Sequence, residues 1–132
     1  MTQTPHSFDL RVYYEDTDLA GIVYYANYLK FIERARTEYV RSLGVDQARL
    51  KAEAGIVFAV RRVEADYIAP AKFDDQLRVV TTLQANTGAR LTLAQDVLRD
   101  GDVLFSSLVT IVALSETGKP CRLPADIRQK FQ

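Results

Sequence analysis

Residues 8–15 alternate: Phe8, Leu10, Val12 and Tyr14 point one way, and Asp9, Arg11, Tyr13 and Glu15 the other. That is the period-two pattern of a half-buried strand. From about Tyr24 to Leu43 the period lengthens. Tyr24, Tyr28, Phe31, Ile32, Ala35, Tyr39 and Leu43 share one helical face, and Lys30, Glu33, Thr37 and Arg41 fall opposite. Gly44 stands where a C-cap is expected, with Arg41 in the last turn. The following "VDQARLKAEAG" reads as a connecting loop with at most a short helical turn.

The remainder is strand-like. In "GIVFAVRRVEADYIAP" apolar residues occupy even positions (Ile56, Phe58, Val60) and then odd ones (Val63, Ala65, Tyr67). The phase slip at Arg61 and Arg62 predicts a bulge, and Pro70 ends the strand. Strands over Gln76–Ala85 and Arg90–Arg99 are separated by a turn at "NTGA", and "DGD" at 100–102 is a hairpin signal. The last strand, "VLFSSLVTIVALS", is apolar on nearly both faces, which predicts a central position covered on both sides. A short helix is predicted from near Pro124. One long helix facing about five largely antiparallel strands is an α+β domain in which the sheet curls around the helix. With no repeat or linker, residues 1–132 read as a single domain.

Composition narrows the function. Apolar residues make up 48% and Lys plus Arg equals Asp plus Glu at 17 each, so no bulk field favours nucleic acid or a membrane surface. Cys121 is the only cysteine and His6 the only histidine. An internal disulfide and a Cys/His zinc site are thereby excluded, and no metal or other cofactor is expected. Cys121 has no histidine partner in view and is expected to be inert, and His6 to be a mobile surface residue. The first ten residues carry no secretory pattern and no segment spans a bilayer, so a soluble cytoplasmic protein is expected.

Candidate chemistry concentrates in "YYEDTDLAGIVYYANYLK". Glu15, Asp16 and Asp18 crowd a loop, Gly21 makes its turn, and the long helix then starts with no Ser, Thr or Asp directly before it. The open N–H groups of such a start can cradle a phosphate or the oxyanion of an attacked carbonyl. Asn27 is the one side chain placed to cap it, if the helix begins later. The acids alone read as a loop cap, a fragment of a Mg²⁺ site, or a catalytic carboxylate. A carboxylate beside an oxyanion hole is a minimal acyl-transfer site that needs neither histidine nor cysteine.

These residues also carry a resemblance. "RVYYEDTDLAGIVYYANYLKFIERARTEYVR", with "YIAPAKFDD" and "KPCRLP" downstream, resembles the 4-hydroxybenzoyl-CoA thioesterase-like hotdog proteins, and more narrowly the Tol–Pal-associated acyl-CoA thioesterases. The resemblance implies a hotdog fold, one long helix wrapped by a five-stranded antiparallel sheet. It implies thioester hydrolysis of an acyl-CoA, or an acyl-carrier-protein substrate, in a homodimer or homotetramer whose sites lie at subunit interfaces. The aspartate of the T-D pair, Asp18, becomes the catalytic carboxylate, and the Tyr25 backbone N–H the oxyanion donor, with Gly21, Val23 and Tyr24 near the substrate. Many Tol–Pal-type members have histidine where this chain has Tyr25, a change that spares a backbone N–H and bears on substrate preference. Asp18 then attacks the carbonyl itself or activates a water.

Other residues read more simply. Glu33 and Glu38 are expected in pairings within the helix or at a subunit interface, and Tyr24, Tyr28 and Phe31 in the core. Arg61, Arg62, Lys72 and Arg90 are basic positions available to CoA phosphates, though scattered bases are usually solvated surface. The competing classes are a non-catalytic acyl-CoA or acyl-carrier-protein binding module, a different α+β fold with an apolar cavity, and a hotdog dehydratase, for which His6 is poorly placed.

Overall fold

In the computed structural model, which describes residues 4–132, the chain runs β1 (His6–Arg11), a 3-10 turn (Tyr14–Asp16), α1 (Asn27–Ser42), α2 (Gln47–Ala54), β2 (Val57–Tyr67), β3 (Gln76–Asn86), β4 (Arg90–Arg99), β5 (Asp102–Leu114) and α3 (Ala125–Arg128). The five strands form one antiparallel sheet in the order β1-β3-β4-β5-β2. α1 lies across β1, β3 and β4. Its Phe31, Ile32, Ala35 and Tyr39 are buried against Val79, Leu93, Val97 and Phe105. Each of the larger side chains contributes roughly 1.5–3 kcal/mol of burial, and together they fix α1 on the sheet.

Local signals account for most boundaries. The β4–β5 hairpin turns through Asp100 and Gly101, both at positive φ, as its "DGD" requires. Gly44, at φ 82, ends α1 with its N–H on the Arg41 carbonyl, while the Val45 N–H returns to Val40. The register slips between Val60 and Arg62, where the phase change predicted a bulge.

Five expectations are corrected. The strand alternation holds only to the buried Val12; Tyr14 has turned into the 3-10 segment and is 83% exposed. α1 starts at Asn27, so Tyr24 lies outside it and outside the core. The expected loop after Gly44 contains α2, capped by the Asp46 side chain on the Arg49 N–H and ended by the left-handed Gly55. Only Leu50 of α2 is buried, which left no periodic stripe to read. β5 is next to the edge rather than central, and Leu108 on its outer face is exposed. His6 is no loose surface residue: it opens β1, half-buried, with its ring edge-on to Tyr39.

Beneath α1 sits a polar knot. Gln95, fully buried on β4, donates to the Ile32 carbonyl and to Thr81 Oγ1, both at 2.9 Å, and accepts from Arg36 Nη1 at 2.9 Å. Burial pulls the Arg36 pKa down against the nearby Glu33. Gln95→Leu keeps the volume but strands Thr81 and Arg36. It is expected to lower stability by about 2–4 kcal/mol, read as a lower midpoint in urea at unchanged m-value.

Candidate active site

The acid loop is a hairpin-like excursion tied to the start of α1. Thr17 bridges Val23, the Asp18 N–H donates to the Ile22 carbonyl (2.9 Å), and the Gly21 N–H returns to the Asp18 carbonyl (3.0 Å). Gly21 has φ 81, and no atom lies within 4 Å of where a Cβ would sit. Glycine is therefore needed for its backbone angle and not for space.

The three acids differ in what they do. Asp16 is committed to structure: Oδ2 caps the Tyr13 N–H at 2.8 Å, and its carbonyl accepts both the Tyr24 N–H and Asn27 Nδ2 at 2.9 Å. Those last two bonds fasten the loop over the helix start, and they hold Tyr24 outside the helix that its spacing suggested. Asp18 is exposed, and among the described residues Oδ1 accepts only the Ala20 N–H (2.9 Å), an Asx-type bond within the loop. Glu15 is exposed.

The helix start has no side-chain cap, although the Asn27 and Leu29 N–H groups donate to the Tyr24 and Ala26 carbonyls. Ala26 occupies the N-cap without a side-chain bond, and Asn27, the one residue placed to cap it, spends its amide on the loop. The Tyr24 N–H is taken by Asp16, whereas among the described residues the Tyr25 N–H has no acceptor. The Tyr25 carbonyl accepts the Tyr67 hydroxyl at 2.9 Å, which ties down the following Tyr25–Ala26 peptide. The Tyr24 hydroxyl pKa is raised, first by its hydrogen bond to the Tyr25 side chain, with a smaller contribution from the Asp18 carboxylate. Asp18, Tyr24 and Tyr25 therefore share one neighbourhood.

Beside Tyr25 opens a mostly apolar cavity of about 300 Å³, walled by Ile22, Val23, Tyr28, Tyr67, Ile68 and Pro70. Tyr28 is buried and stacks on Phe105 at 5.0 Å, and its hydroxyl accepts the Ala71 N–H at 3.0 Å. Burial raises the pKa of both Tyr28 and Tyr67. The wall formed by residues 68–71 is strapped down in turn. Val23 N–H donates to the Ala71 carbonyl (2.8 Å), Lys72 N–H to Asp75 Oδ2 (2.8 Å), and Arg99 Nη1 to Asp75 Oδ2 (2.7 Å) and the Pro70 carbonyl (3.3 Å).

Partial burial alone would raise the Asp75 pKa, but the Lys72 N–H and the Arg99 guanidinium outweigh it and hold the carboxyl below its ordinary range. A depressed folded pKa stabilises above the unfolded value, near 3.9, and that stability is lost as pH falls through the folded value. Asp75→Asn is therefore expected to be less stable than wild type at pH 7. The deficit narrows as pH drops through the carboxylate range, in denaturant titrations at pH 7, 5, 4 and 3.

Of the residues singled out from sequence, Asp18, Gly21, Val23, Tyr24 and Tyr25 come together on the loop and helix start. Val23 is buried, Tyr24 is exposed rather than core, and Tyr28 and Phe31 are core as expected. Glu38 pairs with Arg41, and Glu33 accepts from the Thr37 hydroxyl, within the helix. Arg62 pairs with Glu64, while among the described residues Arg61, Lys72 and Arg90 have no carboxylate within 4 Å. Sequence reasoning missed the role of Tyr67 and offered Asn27 only as a helix cap; both act through partners, 42 and 11 residues away. Among the described residues no helix is long and apolar enough to cross a membrane.

Comparisons with known proteins place the chain in a family. Residues 12–131 match the family model of the Thioesterase-like superfamily. The acyl-CoA thioesterase YbgC of Haemophilus influenzae is 40% identical over 133 residues, covering 99% of this chain and 97% of that protein. The acyl-CoA thioester hydrolase YbgC of an Escherichia coli O6:H1 strain is 37% identical, covering 100% and 99%. A probable thioesterase from Bartonella henselae superposes with TM-score 0.88 at 37% identity, over 92% of this chain and 100% of that one. A mutant 4-hydroxybenzoyl CoA thioesterase complexed with 4-hydroxybenzoyl CoA shares the fold, with TM-score 0.91 at 21% identity, over 97% and 99%.

Proposed function

The chain belongs to the Thioesterase-like superfamily, has its hotdog fold and is a thioester hydrolase; from that premise we propose that it cleaves acyl-CoA to a carboxylic acid and CoA, using the Asp18 carboxylate and the Tyr25 backbone N–H. The observation that carries the assignment is the free Tyr25 N–H, just ahead of the Ala26 N-cap of α1, between the Asp18 loop and an apolar cavity.

The acyl group occupies the cavity walled by Tyr28 and Tyr67, and its carbonyl oxygen faces the Tyr25 N–H. Attack on the carbonyl carbon moves electron pair and charge onto that oxygen. A fixed donor and the positive end of the helix dipole stabilise the charge there. The Asp18 carboxylate enters on the attacked face by one of two routes. As base it takes a proton from water, the C–O bond forms, the C–S bond breaks, and the CoA thiolate leaves and is protonated. As nucleophile it displaces CoA to give a mixed anhydride that water then opens. Both routes consume one water and return Asp18 as carboxylate. Asp16, held by its own bonds, stays a loop residue.

The sheet ends in an uncovered β2, so a homodimer that pairs these edges, itself able to assemble as a tetramer, completes the fold. A cytoplasmic setting and an acyl-carrier-protein substrate belong to the same reading. The test is release of free thiol from short, long and aromatic acyl-CoAs. Hydrolysis of at least one class at a rate well above background is expected; binding without turnover of any would make this a binding module.

A further inference from the structure

Tyr67 is held from two directions. Its backbone closes β2 opposite Phe105, and directly after it the Ile68 and Ala69 N–H groups both donate to the Leu104 carbonyl, at 2.8 and 3.1 Å. Its ring stands edge-on to Phe105, Tyr28 and Tyr25, with centroids 5.1, 5.5 and 6.1 Å away. Phe105 and Tyr28 are themselves buried and stacked on each other, so they form a fixed wall. With backbone and ring both held, the hydroxyl has little choice of direction. Burial raises its pKa, which keeps it a protonated donor at neutral pH.

That donor meets the segment carrying the Tyr25 N–H, which belongs to the peptide between Tyr24 and Tyr25. A trans peptide directs its C=O and N–H to opposite sides. The Tyr24 carbonyl accepts the Asn27 N–H at 2.8 Å, and this bond sets the direction of the N–H at the other end of the same peptide. The preceding peptide is fixed by the Tyr24 N–H on the Asp16 carbonyl, at 2.9 Å. The following one, Tyr25–Ala26, is fixed by the Tyr67 hydroxyl on the Tyr25 carbonyl, at 2.9 Å. Among the described residues no other group donates to that carbonyl, and Ala26 brings no side-chain bond in its place. Of these anchors only Tyr67 comes from the sheet.

We infer that Tyr67 is a positioning residue for the reaction: by holding the Tyr25 carbonyl, its hydroxyl keeps the Tyr25 N–H aimed at the thioester oxygen. This rests on the reading in which that N–H receives the oxyanion. An oxyanion donor works by being in place before charge develops, so freedom in the peptide that carries it is lost transition-state stabilisation. The hydroxyl acts on the protein's own backbone and not on the substrate, whereas the ring of the same residue walls the acyl cavity. The two parts of the side chain therefore separate in kinetics: the hydroxyl governs kcat, and the ring governs how well the acyl group binds.

The test is Tyr67→Phe, which keeps the ring and removes only the hydroxyl. It should lower kcat for acyl-CoA hydrolysis about tenfold while KM moves by less than about twofold. Replacing Tyr67 by para-aminophenylalanine puts a neutral N–H donor back at the same place and should return most of the lost rate. A double-mutant cycle gives the second readout. In the Tyr25→Pro background, Tyr67→Phe should change kcat by less than about twofold, because the donor that it aims is gone, whereas a purely structural role would cost the same factor in both backgrounds. Wild-type kcat in Tyr67→Phe, a loss in KM instead of kcat, no rescue by the amine, or equal losses in both backgrounds would overturn the positioning role. Wild-type kcat in Tyr25→Pro would instead remove the donor assignment, and this inference with it.

Discussion

Tyr25→Pro is expected to lower kcat for acyl-CoA hydrolysis by roughly 10²–10³, whereas Tyr25→Ala lowers it no more than a few-fold. The contrast isolates the amide from the phenol. Proline removes the N–H, which bonds to nothing else among the described residues, so no hydrogen bond of the fold is lost with it. Alanine keeps the N–H and the carbonyl that receives the Tyr67 hydroxyl, and loses the ring contacts to Tyr24 and Tyr67. A missing oxyanion donor raises the barrier by roughly 2.7–4 kcal/mol, which appears in kcat more than in KM because the charge develops only in the transition state. If both variants fall equally, the ring carries the effect and the helix head does not. Thermal melts of both proteins within a few degrees of wild type make that comparison valid.

Asp18→Asn is the second large effect, a loss in kcat of roughly 10²–10⁴ with KM nearly unchanged. Asparagine preserves the acceptor for the Ala20 N–H, so the loop turn survives and only the charge and basicity are removed. Asp16→Asn is the matched control. It too keeps an acceptor, here for the Tyr13 N–H, and the carbonyl that binds Tyr24 and Asn27 is untouched, so kcat should stay within a few-fold of wild type. If the Asp16 variant is the crippled one, the roles of the two acids are reversed. Steady-state thiol release at saturating acyl-CoA measures all three proteins.

How far the sequence carried these conclusions depends on the range of the interaction concerned. Turns and caps were legible because their causes are local: "DGD" demands positive φ, and Gly44 ends α1 as its position predicts. The bulge at Arg61 was legible because side-chain phase must slip where the register does. Tyr24 was misplaced for the opposite reason. Its i, i+4 relation to Tyr28 fits a helix, but the Asp16 carbonyl takes its N–H and holds it outside. α2 hid behind a single buried residue, although Asp46 and Gly55 mark its ends. β5 looked central because both faces are apolar, yet its outer face and the neighbouring edge strand are uncovered within one chain. That apolar surplus fits a partner that completes the sheet. For the candidate site, the loop and helix head were readable from composition and the missing cap. Tyr67 and the strap from Ala71 to Asp75 were not, since they meet the loop only through tertiary hydrogen bonds.

In the proposed reaction the thioester carbonyl sits just ahead of α1, in front of Asp18. The most direct measurement is a crystal structure of Asp18→Asn bound to an acyl-CoA that it hydrolyses slowly. The carbonyl oxygen is expected within about 2.7–3.1 Å of the Tyr25 backbone nitrogen, with the acyl group against Tyr28 and Tyr67. A carbonyl seated elsewhere, such as in the cavity of about 220 Å³ lined by Arg36, Val40 and Phe58, would contradict it.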